Sequence, residues 1–373
     1  MTTPRTPARV FLRNSQEVRV DRRLSRGGEG TIFSLHGDAE RVLKVYHKVN
    51  QDRVRKLEAM LAAVPVDPWR QRSGLVSICW PEELAFNEVG QVVGFLMPRI
   101  DTAKYAPVGL LWNREDRGML MPGFTWKYLC VAAANFSSLM ELIHARGHVI
   151  GDVNEENTLV NNSAITAVVD CDSMQVRDSR SGKTFRSPVS RDAFISPERL
   201  GKALVNVDRT ATDDYWALAV LIFSMLLEGL HPTDGIGYPP ERDRRLRLGL
   251  FPMLGESGFA PPKYALPVAM LPEPILRLFQ RCFRDGHANP AKRPSAVEWK
   301  HTLRDTAATL VHCPARPLHW YASHLASCPW CDERRLIGID RFEVRPPLTT
   351  KVTAPSPSPQ APTIARWLRA LFN

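Results

Sequence analysis

Residues 143–160 read IHARGHVIGDVNEENTLV, and this stretch decides the fold. It begins at the end of a long helical pattern with one apolar face, and its last three residues, Thr158–Val160, begin a strand pattern. The polar loop between them holds Asp152 and Asn157, five positions apart. An aspartate can accept a hydroxyl proton, and an asparagine can help to hold a divalent cation. The loop is therefore the first candidate for a catalytic site.

Two further carboxylates follow on the next predicted strand. Residues 167–172 read AVVDCD, so a short apolar strand ends in Asp170 and Asp172. Carboxylate and amide oxygens are the ligands that magnesium prefers in proteins. Asn157 and Asp170 are the predicted magnesium ligands, and Asp172 puts a second carboxylate near the metal.

A glycine-rich segment lies upstream, where LSRGGEGTIF (24–33) separates two strand patterns. Glycines let the backbone approach a polyphosphate closely, and their N–H groups can point at its oxygens. An ordinary hairpin turn is the alternative interpretation of this segment. The glycines that carry the phosphate-binding hypothesis are Gly27, Gly28 and Gly30.

Lys44 lies inside the next apolar strand pattern, VLKV (42–45). A lysine in such a strand is costly without an anionic partner. A nucleotide phosphate is one candidate partner, and Glu58 on the following predicted helix (51–64) is the other. Glu58 could equally be a solvated helix carboxylate. Together with Asp152, Asn157 and Asp170, this lysine completes the parts needed for phosphoryl transfer from ATP with magnesium.

Residues 20–305 resemble the eukaryotic-type protein kinase fold, with eight motifs in the family's order. The resemblance implies an α+β bilobal fold, with a β-rich N-lobe over about 20–100 and an α-helical C-lobe over about 101–305. It implies that Asp152 is the catalytic aspartate and Lys44 the phosphate-binding lysine. The remaining matches are Gly27 and Gly30 in the glycine-rich loop, Asn157, Asp170, Ser196-Pro197-Glu198, Asp214-Tyr215-Trp216 and Lys292-Arg293-Pro294. Arg293 is the expected partner of Glu198.

The chain departs from the kinase pattern at four places: Ser25, Ile150-Gly151, Asn154 and Cys171-Asp172. Gly151 stands where an arginine usually receives a phosphorylated activation loop. We therefore expect activity without phosphorylation of the segment between Asp170 and Glu198. Asn154 stands where a lysine usually touches the transferring phosphate, so one cationic stabiliser is missing from that position.

The departures resemble a bacterial kinase branch associated with tellurite-resistance-type gene neighbourhoods. The resemblance implies a phosphorylation triad in which the kinase acts with a PP2C-type phosphatase and a von Willebrand A-domain protein. It does not indicate which protein is the substrate.

Four potential zinc ligands lie within 19 residues near the C-terminus. Cys328-Pro-Trp-Cys331 is a knuckle that aims two thiolates at one metal, and Cys313 and His319 can complete a tetrahedral site. His324 is the competing fourth ligand. Unligated thiols or a redox pair are the alternatives to zinc. A zinc-ribbon-like module over 310–335 is predicted, structural in role, with the kinase-like domain keeping a core of its own.

Composition limits the function classes. The chain has 373 residues, a net charge of +10 and the apolar and charged content of a globular protein, 44% and 24%. Seven cysteines, an odd number in a long chain, favour a reducing cytoplasm. No apolar run is long enough for a transmembrane segment, and the basic residues are too dispersed for us to expect nucleic acid as a partner. Residues 1–19 are predicted to be an extension, 345–363 a Pro/Ser-rich linker and 364–373 an amphipathic tail.

The sequence therefore predicts a protein Ser/Thr kinase that uses ATP and magnesium and carries a zinc module. The alternative is a pseudokinase scaffold that binds nucleotide and partner proteins with little phosphotransfer. Ser25, Asn154 and Asp172 favour that alternative. A nucleic-acid-binding protein and a small-molecule phosphotransferase are the two remaining hypotheses.

Overall fold

The computed structural model describes residues 9–343, so the linker and tail predicted beyond them lie outside the described residues. The N-terminal part is a closed, six-stranded barrel with strand order β1-β2-β3-β4-β6-β5. Its strands are β1 (Arg9–Phe11), β2 (Glu17–Arg26), β3 (Gly30–Leu35), β4 (Asp38–Tyr46), β5 (Glu83–Phe86) and β6 (Val92–Pro98).

The barrel begins earlier than the sequence suggested. Residues 9–19 were expected to be an extension, but β1 pairs with both β2 and β5 and closes the barrel. The buried Val10 and Leu12 pack on Leu43 and Leu96 in its interior, because side chains on these strands alternate between the two faces. The boundary expected at residue 20 falls inside β2.

The pairing of β4 with β6 places Lys44 opposite Phe95. Gly94 makes this close approach possible, since a Cβ atom there would lie 1.9 Å from the Lys44 carbonyl oxygen. The close contact at Gly94 thus fixes the register of β4 against β6 at Lys44.

Helices dominate the rest of the described chain. They are α1 (Gln51–Ala62), α2 (Pro68–Ser73), α3 (Arg114–Leu120), α4 (Trp126–His144), α5 (Ala211–Leu226), α6 (Arg242–Leu248), α7 (Glu273–Gln280), α8 (Gly286–Ala288), α9 (Ala296–Thr309) and α10 (Pro329–Ile337). A π-helix over Arg281–Asp285 continues α7. Short 3₁₀ turns lie at Val108–Trp112, Cys171–Ser173, Asp192–Phe194, Pro197–Arg199, Leu204–Asn206, Pro252–Leu254, Val268–Met270 and Pro290–Lys292.

Three small sheets complete the architecture. Strands β7 (Tyr105–Pro107), β8 (Thr158–Asn161) and β9 (Thr166–Val168) form the sheet that flanks the loop of residues 150–157. The other two are the pair β10 (Val176–Arg177) with β11 (Thr184–Phe185) and the pair β12 (Val311–His312) with β13 (Trp320–Tyr321).

The main hydrophobic core is continuous from the barrel to α10. Apolar residues of α4 and α5 fill its centre, and α9 packs along α4. Trp330 and Phe342, near the cysteine cluster, belong to this same core. The predicted zinc module thus packs on the core of the kinase-like domain, and its boundaries stay a prediction. Within residues 9–343, no helix combines the length and apolar character needed to cross a membrane.

Candidate active site and metal centre

The loop between α4 and β8 is held in shape by two asparagines. Asn154, which is 1% exposed, accepts hydrogen bonds from the backbone N–H groups of Glu156 and Asn157, each at 2.9 Å. Its amide donates to the Asp152 carbonyl at 3.1 Å. Asn154 therefore shapes the loop and offers no cation to it.

Asp152 presents one unpaired oxygen. Its Oδ2 accepts a hydrogen bond of 3.0 Å from the Asn157 amide, whereas its Oδ1 is buried and has no hydrogen-bond partner among the described residues. Burial raises the pKa of Asp152, and the nearby charge of Asp170 raises it further. A buried acceptor without a partner is costly in a resting protein and is the feature that a bound hydroxyl group would satisfy.

Asp214, on α5, anchors the start of the loop of residues 150–157. Its carboxylate, 1% exposed, accepts from the backbone N–H groups of Ile150 and Gly151 at 2.7 and 2.8 Å. The ring of His144, at the end of α4, lies 2.7 Å from the same carboxylate. Helix α5 thereby anchors both α4 and the loop.

The glycine-rich turn joins β2 to β3. Gly27 donates its backbone N–H to the Gly30 carbonyl at 2.9 Å, which closes the turn. Gly30 is required by packing, because a Cβ atom there would lie 2.6 Å from the Val45 carbonyl oxygen. Gly28 faces open space. The hairpin-turn interpretation thus accounts for Gly30, while Gly28 remains free to approach a ligand.

Lys44 is held by two aspartates. Its Nζ lies 2.8 Å from Asp170 Oδ1 and 2.7 Å from Asp172 Oδ1. Burial alone would lower the pKa of Lys44, but the charges of Asp172 and Asp170 raise it above its ordinary value. The lysine therefore stays charged inside the protein.

The expectation that Glu58 pairs with Lys44 is wrong. The Glu58 side chain is 43% exposed and lies 3.6 Å from the guanidinium of Arg13. On α1, Leu57, Ala59 and Met60 are buried instead, so the helix turns the glutamate outward. Within the described chain, the carboxylate partners of Lys44 are Asp170 and Asp172.

Tyr46 is a site residue that sequence reasoning missed. Its hydroxyl donates to Asp172 Oδ2 at 2.8 Å. Burial, followed by the charge of Asp172, raises the pKa of Tyr46, so the phenol remains a donor. The available signal was its spacing: Tyr46 lies two positions after Lys44 on one strand, hence on the same face of the barrel.

The segment that follows Asp170 is anchored at both ends. Asp170 itself has left-handed backbone angles, φ 56° and ψ 38°, which aspartate tolerates better than most residues. At the far end, the predicted pair is confirmed: the Arg293 guanidinium donates two bonds to Glu198, at 2.8 and 2.7 Å. The Arg293 side chain is fully buried and lies over the Trp216 ring.

Arg209 occupies the space beside Gly151. A Cβ atom at residue 151 would lie 3.1 Å from the Arg209 guanidinium, and the backbone φ of +73° also favours glycine. Arg209 donates to the Val189 carbonyl at 2.5 Å and is 6% exposed. Arg209 therefore holds the segment between Asp170 and Glu198. The kinase motifs in the sequence did not indicate this role for an arginine outside them.

The four predicted zinc ligands meet at one point. One donor atom from each of Cys313, His319, Cys328 and Cys331 lies within 4.8 Å of the others. His319 Nδ1 lies 3.5 Å from both Cys328 and Cys331 Sγ. Zn–S and Zn–N bonds of about 2.0–2.3 Å require donor separations of this order, so the residues fit a tetrahedral zinc ion.

A further carboxylate supports this cluster. Asp340 lies 2.9 Å from His319 Nε2, which orients the ring so that Nδ1 faces the thiols. Carboxylate partners of this kind are typical of histidines that bind zinc. His324 is exposed, and its ring contacts the Ala269 carbonyl instead. The supporting residues extend beyond the expected module boundary at residue 335.

The cluster is joined to the helical core by aromatic packing. Trp330 lies within the Cys-x-x-Cys knuckle, is fully buried, and has its ring 6.1 Å from Trp126 on α4 and 4.9 Å from Phe342. Its indole N–H donates to the Trp320 carbonyl at 2.8 Å. Burial of this one side chain therefore connects the knuckle to α4.

Buried charges form a second connection. The Arg117 guanidinium donates to Glu228 at 2.5 Å and to the Arg341 carbonyl at 2.7 Å, and it lies 4.7 Å from the centre of the Phe342 ring. Arg341 also pairs with Glu228 and with Glu333. Helices α3 and α10 and the segment that follows α5 share this network.

Comparisons with known proteins agree with this geometry. The chain is 28% identical over 340 residues to protein kinase YegI of Escherichia coli K12, covering 88% of this chain, and 29% identical over 335 residues to the protein of that name in Escherichia coli O157:H7, covering 86%. The chain spans about half the length of these curated relatives, 50% in each case. No family model matches.

Among solved structures, the chain is similar to the ROP18 kinase domain in complex with AMP-PNP and sucrose. The TM-score is 0.52 at 15% identity, with 81% of this chain and 87% of that one covered. At this identity the likeness concerns the fold. The chain has a protein kinase fold of mixed helix and strand.

Proposed function

We propose that the protein is a Ser/Thr protein kinase that transfers the γ-phosphate of ATP to a protein hydroxyl. The observation that carries the proposal is Asp152 Oδ1, a buried carboxylate oxygen without a partner in the described chain, near the start of the loop that Asp214 anchors. An acceptor held in this way is suited to orient a substrate hydroxyl and to receive its proton.

The other residues have distinct roles in this proposal. Asn157 holds Asp152 Oδ2 and keeps the second oxygen free. Lys44, a buried cation, binds the nucleotide phosphates, and Gly28 leaves room for their approach. Asn157 and Asp170 would hold magnesium, which when bound neutralises phosphate charge. The exposed fraction of the Asp170 side chain, 41%, supports access to that ion.

Zinc at Cys313, His319, Cys328 and Cys331 is the second part of the proposal. Four protein donors leave no open position, so the ion is structural. The cytoplasm is the proposed compartment, because none of the seven cysteines, all of which lie within the described residues, forms a disulfide. A bacterial signalling role with a PP2C-type phosphatase and a von Willebrand A-domain protein stays a prediction from the resemblance alone.

Asp152→Asn tests the catalytic assignment. The amide can still present its oxygen to Asn157, but the nitrogen then faces the substrate and cannot accept a proton. We expect phosphate transfer from labelled ATP to fall at least about 100-fold, with nucleotide affinity unchanged within about twofold.

Glu156→Gln is the matched control on the same loop, since this carboxylate is half exposed and pairs with Arg191. Wild-type rates from Asp152→Asn would refute the assignment. Nucleotide binding by the wild-type protein without transfer to any protein would favour the pseudokinase scaffold.

A further inference from the structure

Lys44 needs a carboxylate that stays with it when nucleotide binds. In the structure it contacts two, Asp170 and Asp172, which differ in exposure: 41% for the Asp170 side chain and 1% for that of Asp172. The Asp170 carboxylate is the more exposed of the two and, under the proposed function, turns to magnesium. Asp172 has no such freedom.

Both oxygens of Asp172 are already in use. Oδ1 accepts from Lys44 Nζ at 2.7 Å and Oδ2 accepts from the Tyr46 hydroxyl at 2.8 Å. Each donor comes from β4, two positions apart, so the carboxylate bridges one face of that strand. A carboxylate with both oxygens bonded inside the protein is poorly placed to be a metal ligand.

Helix α1 offers no substitute. Its glutamate, Glu58, faces Arg13 on the outside. The α1 side chain whose charge acts on both Asp172 and Asp170 is instead Lys56, whose pKa burial lowers to about 8. This side of the helix thus brings a second cation toward the aspartates rather than a carboxylate.

The geometry points to Asp172, braced by Tyr46, as the residue that positions Lys44 for the nucleotide phosphates. This inference rests on the proposed function and deepens it. Because Asp172 lies in the 3₁₀ turn after β9 and not on α1, the lysine is held by a carboxylate that does not depend on the placement of α1. Asp172 acts through Lys44 and is not a magnesium ligand.

A double-variant cycle on stability tests this without nucleotide, metal or activity. Asp172→Asn should lower the unfolding midpoint clearly in the wild-type background, because Lys44 loses its buried partner. In the Lys44→Met background the same change should have little effect. If the two single-variant shifts simply add, Asp172 does not act through Lys44 and the inference is overturned.

Kinetics supply the second readout. Asp172→Asn should lower kcat/KM for ATP about 100-fold, the scale of a misplaced catalytic group, while the magnesium concentration for half-maximal rate stays within twofold. Asp170→Asn should shift that magnesium concentration strongly. An equal magnesium shift from both variants would make Asp172 a metal ligand and overturn the inference.

Two milder variants keep the test informative if Asp172→Asn folds poorly. Tyr46→Phe removes one hydrogen bond to Asp172 and should lower kcat/KM about three- to tenfold with an unchanged magnesium dependence. Glu58→Gln tests the competing assignment, in which Glu58 is the partner of Lys44. It should change neither kcat/KM for ATP nor the magnesium dependence by more than twofold. A loss of kcat/KM as large as that of Asp172→Asn would overturn the inference. If the wild-type protein transfers no phosphate at all, the proposed function fails, whereas the stability cycle still decides the Lys44–Asp172 pairing.

Discussion

Trp330→Ala should destabilise the whole described fold, and not only the cysteine cluster. The side chain is fully buried between Trp126 and Phe342 and belongs to the main core. Truncating a buried aromatic side chain typically costs about 3–5 kcal/mol, which includes the cavity left behind. Here the Trp320 carbonyl also loses its donor.

This free energy can be converted into a temperature. Unfolding entropies of about 2 cal/mol/K per residue, applied to the described chain, give a fall in Tm of about 4–7 °C. Trp330 is not a predicted metal ligand, so the variant should still bind zinc when folded. Far-UV circular dichroism and zinc release to a chelating dye should therefore report the same lowered transition.

Leu336→Ala is the matched control, since this residue lies on the same helix, α10, but is 83% exposed. Its effect should stay within about 0.5 kcal/mol. The reasoning is refuted if Trp330→Ala leaves the main transition at the wild-type temperature and only zinc release moves. That result would mean that the cysteine cluster is a module whose folding is independent of the main core.

Three further predictions concern the segment between Asp170 and Glu198, the metal centre and His231, a buried histidine outside the site whose ring contacts Thr233 and the Ala193 carbonyl. Phosphatase treatment should leave the initial rate of phosphate transfer unchanged, and a loss of rate restored only by rephosphorylation would contradict this. Arg209→Gln should lower the rate about tenfold, because the segment between Asp170 and Glu198 loses a buried anchor. By elemental analysis, His319→Ala should release zinc and His324→Ala should retain it; the reverse result would reassign the ligand. Burial and the charge of Arg242 lower the pKa of His231 to about 4. As the pH falls, His231 is therefore protonated in the unfolded chain before it is protonated in the folded protein. The free energy of unfolding should fall by up to about 3 kcal/mol as pH drops from about 6.5 to 4. Denaturant titrations at several pH values should show a shallower fall for His231→Gln, and identical slopes would refute this.

Residues close in sequence or fixed by motif order were predictable. The long helical pattern that ends at His144 was predicted from its one apolar face, and the structure places α4 at Trp126–His144, with Thr125 as the N-cap. The pairing of Arg293 with Glu198 followed from the resemblance alone, 95 positions apart. In both cases one strong constraint, periodicity or motif identity, determined the answer.

The partner of Lys44 was not predictable in the same way. The sequence offered a nucleotide phosphate and Glu58 as its partners and placed Asp172 near the metal instead. The actual pairing depends on the rotation of α1 and on the approach of a segment 128 positions away. On α1, Leu57 is buried, whereas its neighbour Glu58 lies on the outer side of the helix. No local pattern encodes this, because tertiary packing sets the rotation. Asp340 was missed for the same reason, since it reaches His319 through space.

The contact between Trp126 and Trp330 also has a consequence for biosynthesis. The two residues are about 200 positions apart, and at about 5–20 residues per second the ribosome needs roughly 10–40 s to make the intervening chain. During that interval, the part of the Trp126 side chain that packs on Trp330 stays uncovered. The nascent protein therefore exposes this apolar surface until α10 has emerged. We expect chaperone binding to this surface to fall once Trp330 has packed against Trp126.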